Sequence, residues 1–238
     1  MDNFSQLTKN ELASYFCRPA TYFFIVIFLI LNQTLTFYVG DFFQRNEADL
    51  LSFFEMIPWV FAVFVSAIIT QHAFHQKKML ANETTAIYTQ VIARFFADWV
   101  ITLVALLFTI PLWITLNYLG HPDNEAIMAG YLGCLLLGGA FAAVAVCFTS
   151  FIKTPLLAFL LSTVVCLFFL VKGTPMVLDY LETVTPLWVP NMLNSFSLLT
   201  HFSSLCRGLF DARTLIYIVT FIVFWLFLTT VILEKHKK

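Results

Sequence analysis

Six apolar runs follow one another along the chain, separated by short polar breaks, and no other sequence feature constrains the fold as strongly. A helix rises about 1.5 Å per residue, so roughly 20 apolar residues cover the ~30 Å hydrocarbon core of a bilayer. The runs occupy residues 20–39, 51–71, 91–116, 126–152, 155–171 and 215–233. Hydrocarbon holds no water, so each run must satisfy its own backbone N–H and C=O groups, which selects helix. Of the 238 residues, 60% are hydrophobic and 11% are charged, against roughly 25% charged in a soluble domain. Such a chain lacks the polar side chains to coat a globule. The expected fold is an all-α integral membrane protein, one domain over residues 1–238 with six transmembrane helices. A net charge of −1 gives no electrostatic footprint for nucleic acid.

The connections are informative too. Residues 1–19 are polar and amphipathic, unlike a signal peptide, where a short basic stretch leads straight into an apolar one. Phe4, Leu7, Leu12, Tyr15 and Phe16 can share one broad helix face, with Lys9, Asn10 and Glu11 elsewhere. Arg18-Pro19 then turns the chain into the membrane. An N-terminal amphipathic elbow helix on the cytoplasmic surface is expected. Pro155 suits the first turn of a new helix, so Lys153-Thr154-Pro155 reads as a tight hairpin between spans four and five. The segment 172–213 carries prolines at 175, 186 and 190 but is too apolar for a solvated loop. Its stretch 194–210 reads as a re-entrant or interfacial helix before the last span.

Orientation follows the Lys and Arg residues. Lys9, Arg18, Lys77, Lys78, Arg94, Lys153, Lys235, Lys237 and Lys238 fall on one side; Arg45, Lys172, Arg207 and Arg213 fall on the other. The richer side is the cytoplasmic one, which puts both termini in the cytoplasm and 172–213 outside.

Residues able to carry chemistry are few. Arg94 and Asp98 lie four apart on one helix face, the spacing of an intramembrane ion pair. His72 and His75 are three apart, but no carboxylate or thiol stands near them in sequence, so no metal site is assigned. His201 has Ser197, Ser203 and Ser204 nearby without the Gly-flanked serine of an intramembrane protease. No GxxxxGK[ST] occurs. Cys17, Cys134, Cys147, Cys166 and Cys206 form no CxxC and read as small core residues. No catalytic residue is assigned, and no enzyme activity is expected. Span four stands out for its small residues: Gly130, Cys134 and Gly138 form one row, and Gly139, Ala143 and Cys147 a second. Rows at this spacing let helix backbones approach closely in lipid, within a chain or between chains.

Several strings resemble a known family. Glu11-Leu12-Ala13-Ser14-Tyr15-Phe16 followed by Arg18-Pro19-Ala20-Thr21-Tyr22 is similar to the opening of ATP-binding-cassette exporter permeases of the second exporter class. It resembles most the branch with the gliding-motility-associated permease and the permeases of nitrous-oxide-reductase maturation. The likeness continues through Ala48-Asp49-Leu50, Phe53-Phe54, Pro58-Trp59, Tyr118-Leu119-Gly120, Gly130-Tyr131-Leu132-Gly133 and Leu136-Leu137-Gly138. It ends with 197–202 and 207–213. The resemblance implies a permease in the bacterial cytoplasmic membrane, with a coupling helix in the first cytoplasmic loop and outer re-entrant helices. The chain would bind no cofactor; ATP and Mg would sit on a separate P-loop ATPase subunit. A second permease copy or a homologous permease would complete the assembly. The loop after span two departs from the family pattern, lacking its Gly-Thr and Leu run. Within 72–90, Lys77, Lys78, Glu83 and Tyr88 are the expected ATPase-coupling residues, with Glu11 of the elbow beside them. A membrane scaffold that transmits force from an ATPase and moves no substrate is the alternative.

Overall fold

The structure, a computed structural model, describes residues 2–39, 50–76, 87–120, 122–174, 195–208 and 211–237, together with residues 176, 177, 183 and 192. About 90% of it is helix, with no strand among the described residues. The helices are α1 (Asp2–Phe16), α2 (Pro19–Thr34, continued by a π-helical turn over Leu35–Val39), α3 (Leu51–Gln76), α4 (Ile87–Leu107), α5 (Ile110–Leu119), α6 (Asn124–Phe151), α7 (Pro155–Val171), α8 (Leu198–Cys206) and α9 (Ala212–Lys237).

Five stretches are long and apolar enough to cross a membrane: Pro19–Val39, Leu51–Phe74, Ile87–Tyr118, Asn124–Phe151 and Ala212–Lys235. The multi-pass membrane character expected from the sequence therefore holds. The fifth expected run is α7, an apolar helix of 17 residues, or about 26 Å at helical rise. It is shorter than the other five.

The third run is not one helix. Pro111 lacks an N–H and its ring crowds the carbonyl four residues back, so α4 stops at Leu107 and α5 starts at Ile110. Thr109 closes the break: its Oγ1 donates to the Leu106 carbonyl at 2.6 Å. Asp123 opens α6, its carboxylate accepting from the backbone N–H of Glu125 and Ala126 at 3.0 and 3.2 Å. Such an N-cap uses donors that the first helical turn leaves without partners. The hairpin between α6 and α7 is as short as the sequence implies, with Pro155 in the first turn of α7.

α6 lies at the centre, packed on α3, α4, α7, α8 and α9. The register follows from side-chain contacts. Phe54 and Phe61 of α3 lie against Gly130 and Gly138, so α3 and α6 run parallel. Arg94 reaches Thr149 and Trp99 reaches Leu135, so α4 runs antiparallel to α6. Ile222 of α9 meets Gly139, and Trp225 meets Phe148, so α9 runs parallel to α6. α1, the close of α3, the start of α4 and the close of α9 therefore gather at one end of the bundle, called the terminal end below. α8 and the start of α9 lie at the far end. Ser197 caps α8, and Leu198, Phe202, Leu205 and Cys206 bury its inner face. Gly208, at φ 75°, then takes the chain out of α8 through a left-handed conformation that a side chain would disfavour.

Candidate functional site

At the terminal end a cluster of charged and polar side chains is buried in the bundle. Its base is Asp98, fully buried in α4. Tyr15 of α1 donates its hydroxyl to Asp98 Oδ1 at 2.7 Å. Burial, and then the Asp98 carboxylate, raise the Tyr15 phenol well above its ordinary value, so it stays protonated as the donor. Arg94, one turn before Asp98, brings Nε to 3.9 Å from Asp98 Oδ2. Its other end donates to Thr149 Oγ1 of α6 at 3.1 Å. The Arg94–Asp98 contact is a charge approach rather than a hydrogen bond at that distance.

His72 of α3 completes the cluster. Its ring stacks on Tyr15, with centroids 3.6 Å apart and planes 16° off parallel. His72 Nε2 and Ser14 Oγ share a hydrogen bond of 3.0 Å, and Arg18 donates to the His72 carbonyl at 3.4 Å. Glu11 is also inside, at 5% exposure. Helix α1 is thereby tied by polar contacts to α3 and α4, and through Arg94 to α6. In low dielectric such bonds hold more firmly than in water, and a lost partner leaves a costly buried polar group.

This arrangement corrects the face expected for α1. Positions 4, 7, 11, 14, 15 and 18 face inward or lie partly covered, and Phe16 points out at 40% exposure. Glu11 is therefore on the same face as Tyr15, one turn away, and not on the solvent side with Lys9 and Asn10. Two polar residues on the inner face are what the buried Asp98 and His72 select. Tyr88, named as a coupling residue, is exposed at the start of α4. Lys77, Lys78 and Glu83 lie outside the described residues, as does the whole segment joining α3 to α4 over 77–86.

The small-residue rows of α6 face inward, against the chain's own helices. A Cβ added at Gly138 would come within 2.7 Å of Thr102 Cγ2 and 2.8 Å of Phe61 Cε1. At Gly130 it would strike the Phe54 ring, and at Gly139 it would stand 3.1 Å from Trp99 Nε1. Cys134, Cys147, Cys166 and Cys206 are buried, whereas Cys17 is exposed just after α1, not a core residue.

At the far end, His201 bonds Thr214 Oγ1 at 3.1 Å and the Ser195 carbonyl at 3.0 Å through its two ring nitrogens. It stacks on Tyr217 at 4.4 Å. These contacts brace α8 against α9; Ser203 and Ser204 bond carbonyls of their own helix. Among the described residues no group of three or more His, Cys, Asp or Glu side chains converges.

Arg94 and Asp98 were readable from helical spacing. Tyr15, Ser14, His72 and Thr149 were not, because their partners lie on other helices. The one available signal was the Tyr and Ser embedded in the amphipathic N-terminal stretch. The chain matches no family model, no curated protein and no solved structure.

Proposed function

We propose that the chain is the membrane subunit of an ATP-driven exporter, with α7 as its sixth span and both termini in the cytoplasm of a bacterial cell. A separate P-loop ATPase would dock on the terminal end, and a second permease would pair with this one. The observation that carries this reading is the buried cluster of Tyr15, His72, Arg94 and Asp98. It joins α1 to the close of α3 and the start of α4, the two helices on either side of the 77–86 connection. A push delivered to that connection or to α1 would be passed to α6 through Asp98, Arg94 and Thr149. Proteins of this kind need no bond chemistry of their own; a partner's ATP-driven movement shifts the balance between packed states. The family resemblance supports the same reading from the sequence.

The test is co-purification. The tagged chain should bring down an ATPase subunit from its native membrane. Glu83→Lys should insert normally yet lose the ATPase or alter its rate. A chain that purifies alone, with no ATPase dependent on it, sinks the exporter reading. The scaffold reading is favoured by the close-packed centre around α6, where Gly138 and Gly139 sit against Phe61, Thr102 and Trp99; ATP-dependent movement of material across sealed vesicles would exclude it.

A further inference from the structure

Two cavities lie end to end along one side of α3 and share the wall formed by Trp59. The first, of about 420 Å³, opens at the far end. It holds one carboxylate and one guanidinium, Glu55 and Arg207, with Thr174 and Ser203 beside them and Phe54 and Trp59 as apolar walls. The second cavity, of about 430 Å³, is lined by apolar residues of α2, α3 and α7, among them Phe24, Leu31, Val63, Ala67 and Phe159.

From this geometry we infer that the groove is a binding site for a zwitterionic phospholipid of the leaflet at the far end. The headgroup phosphate lies on Arg207 and its ammonium on Glu55, with one acyl chain laid along Trp59, Val63 and Ala67. The gradient from a charged mouth to a wholly apolar floor is that of an amphiphile. The length fits as well. Glu55 to Ala67 is twelve residues of helix, or about 18 Å at helical rise, close to half of a ~30 Å hydrocarbon core. A protein helix would need an apolar surface along the whole groove and would leave Arg207 and Glu55 covered at the mouth. This inference stands independently of any export activity.

The experiment uses the full-length protein, stripped of lipid in detergent and titrated with dioleoyl phosphatidylethanolamine, dioleoyl phosphatidylglycerol or dioleoylglycerol, with bound lipid counted by native mass spectrometry. One phosphatidylethanolamine should be retained in preference to the other two. Arg207→Gln should weaken both phospholipids by about tenfold, as the loss of a charge-assisted hydrogen bond implies. Glu55→Gln should weaken phosphatidylethanolamine alone and narrow its lead over phosphatidylglycerol. Val63→Trp should fill the groove and abolish retention. If that variant fails to fold, the two mouth variants decide the matter, because both residues are exposed. Equal retention of all three lipids, mouth variants that bind like the parent, or a dimer whose formation excludes lipid would each overturn the inference.

Discussion

α6 and α9 are both apolar, both long enough to cross a bilayer, and occupy opposite places in the fold. In the most apolar stretch of α6, 78% of residues are buried; in that of α9, 11% are. Hydrophobicity does not separate them, because lipid tails are as apolar as a protein core and offer no reason to bury one helix over the other. Side-chain size does. α6 presents Gly130, Gly133, Cys134, Gly138, Gly139 and a run of alanines to its neighbours, all buried. α9 presents Ile216, Val219, Val223, Phe224 and Phe227 to the outside. A helix that lets other backbones approach goes to the centre, and one studded with bulky side chains is left facing lipid.

The contrast breaks first at Gly138. A Leu there would press on Thr102 and Phe61, both fixed on other helices. Gly138→Leu should cost about 3 kcal/mol, the upper part of the usual overpacking range, read as a large fall in thermal midpoint in detergent. Val146→Leu would not serve as a control for it, because Val146 is itself 1% exposed.

α1 offers a third manner of attachment, packing on α4 reinforced by buried polar bonds. Tyr15→Phe removes the hydroxyl that donates to Asp98 and should cost about 1.5 kcal/mol, the low end for a hydrogen bond to a charged group. Amide exchange across α1 should rise about tenfold, while α6 keeps its protection. Equal rises in both helices would mean that the cluster supports the whole bundle and not the seating of α1.

The smallest effect belongs to the outside of α9. Val223→Leu should change stability by less than about 0.5 kcal/mol, as exposed positions do. A large loss there would show that α9 is buried against another chain in the assembled protein.

The apolar runs were legible because bilayer thickness and backbone hydrogen bonding leave a chain of this composition few choices. The break at Phe108–Thr109 was lost inside a run that hydropathy reads as continuous; Pro111 was the local signal. The small residues of α6 announced close packing, but only contacts with Phe61, Thr102, Trp99 and Ile222 show that the packing is within the chain. Of the polar cluster, the sequence exposed the one pair separated by a single helical turn. Tyr15 and Asp98 are 83 residues apart, and no local periodicity links them. Apolar spacing alone places Glu11 with Lys9 and Asn10, but it is buried on the inner face of α1, where the neighbouring helices are polar.

In the proposed function, movement at the terminal end enters the bundle through α1 and the α3–α4 corner. The most direct test is the ATPase rate of the proposed partner subunit in vesicles, measured without the chain, with the parent chain and with Tyr15→Phe. The parent should change the rate. Tyr15→Phe should insert and retain the ATPase yet lose most of that change. An ATPase that responds identically to the parent and to Tyr15→Phe would contradict the claim.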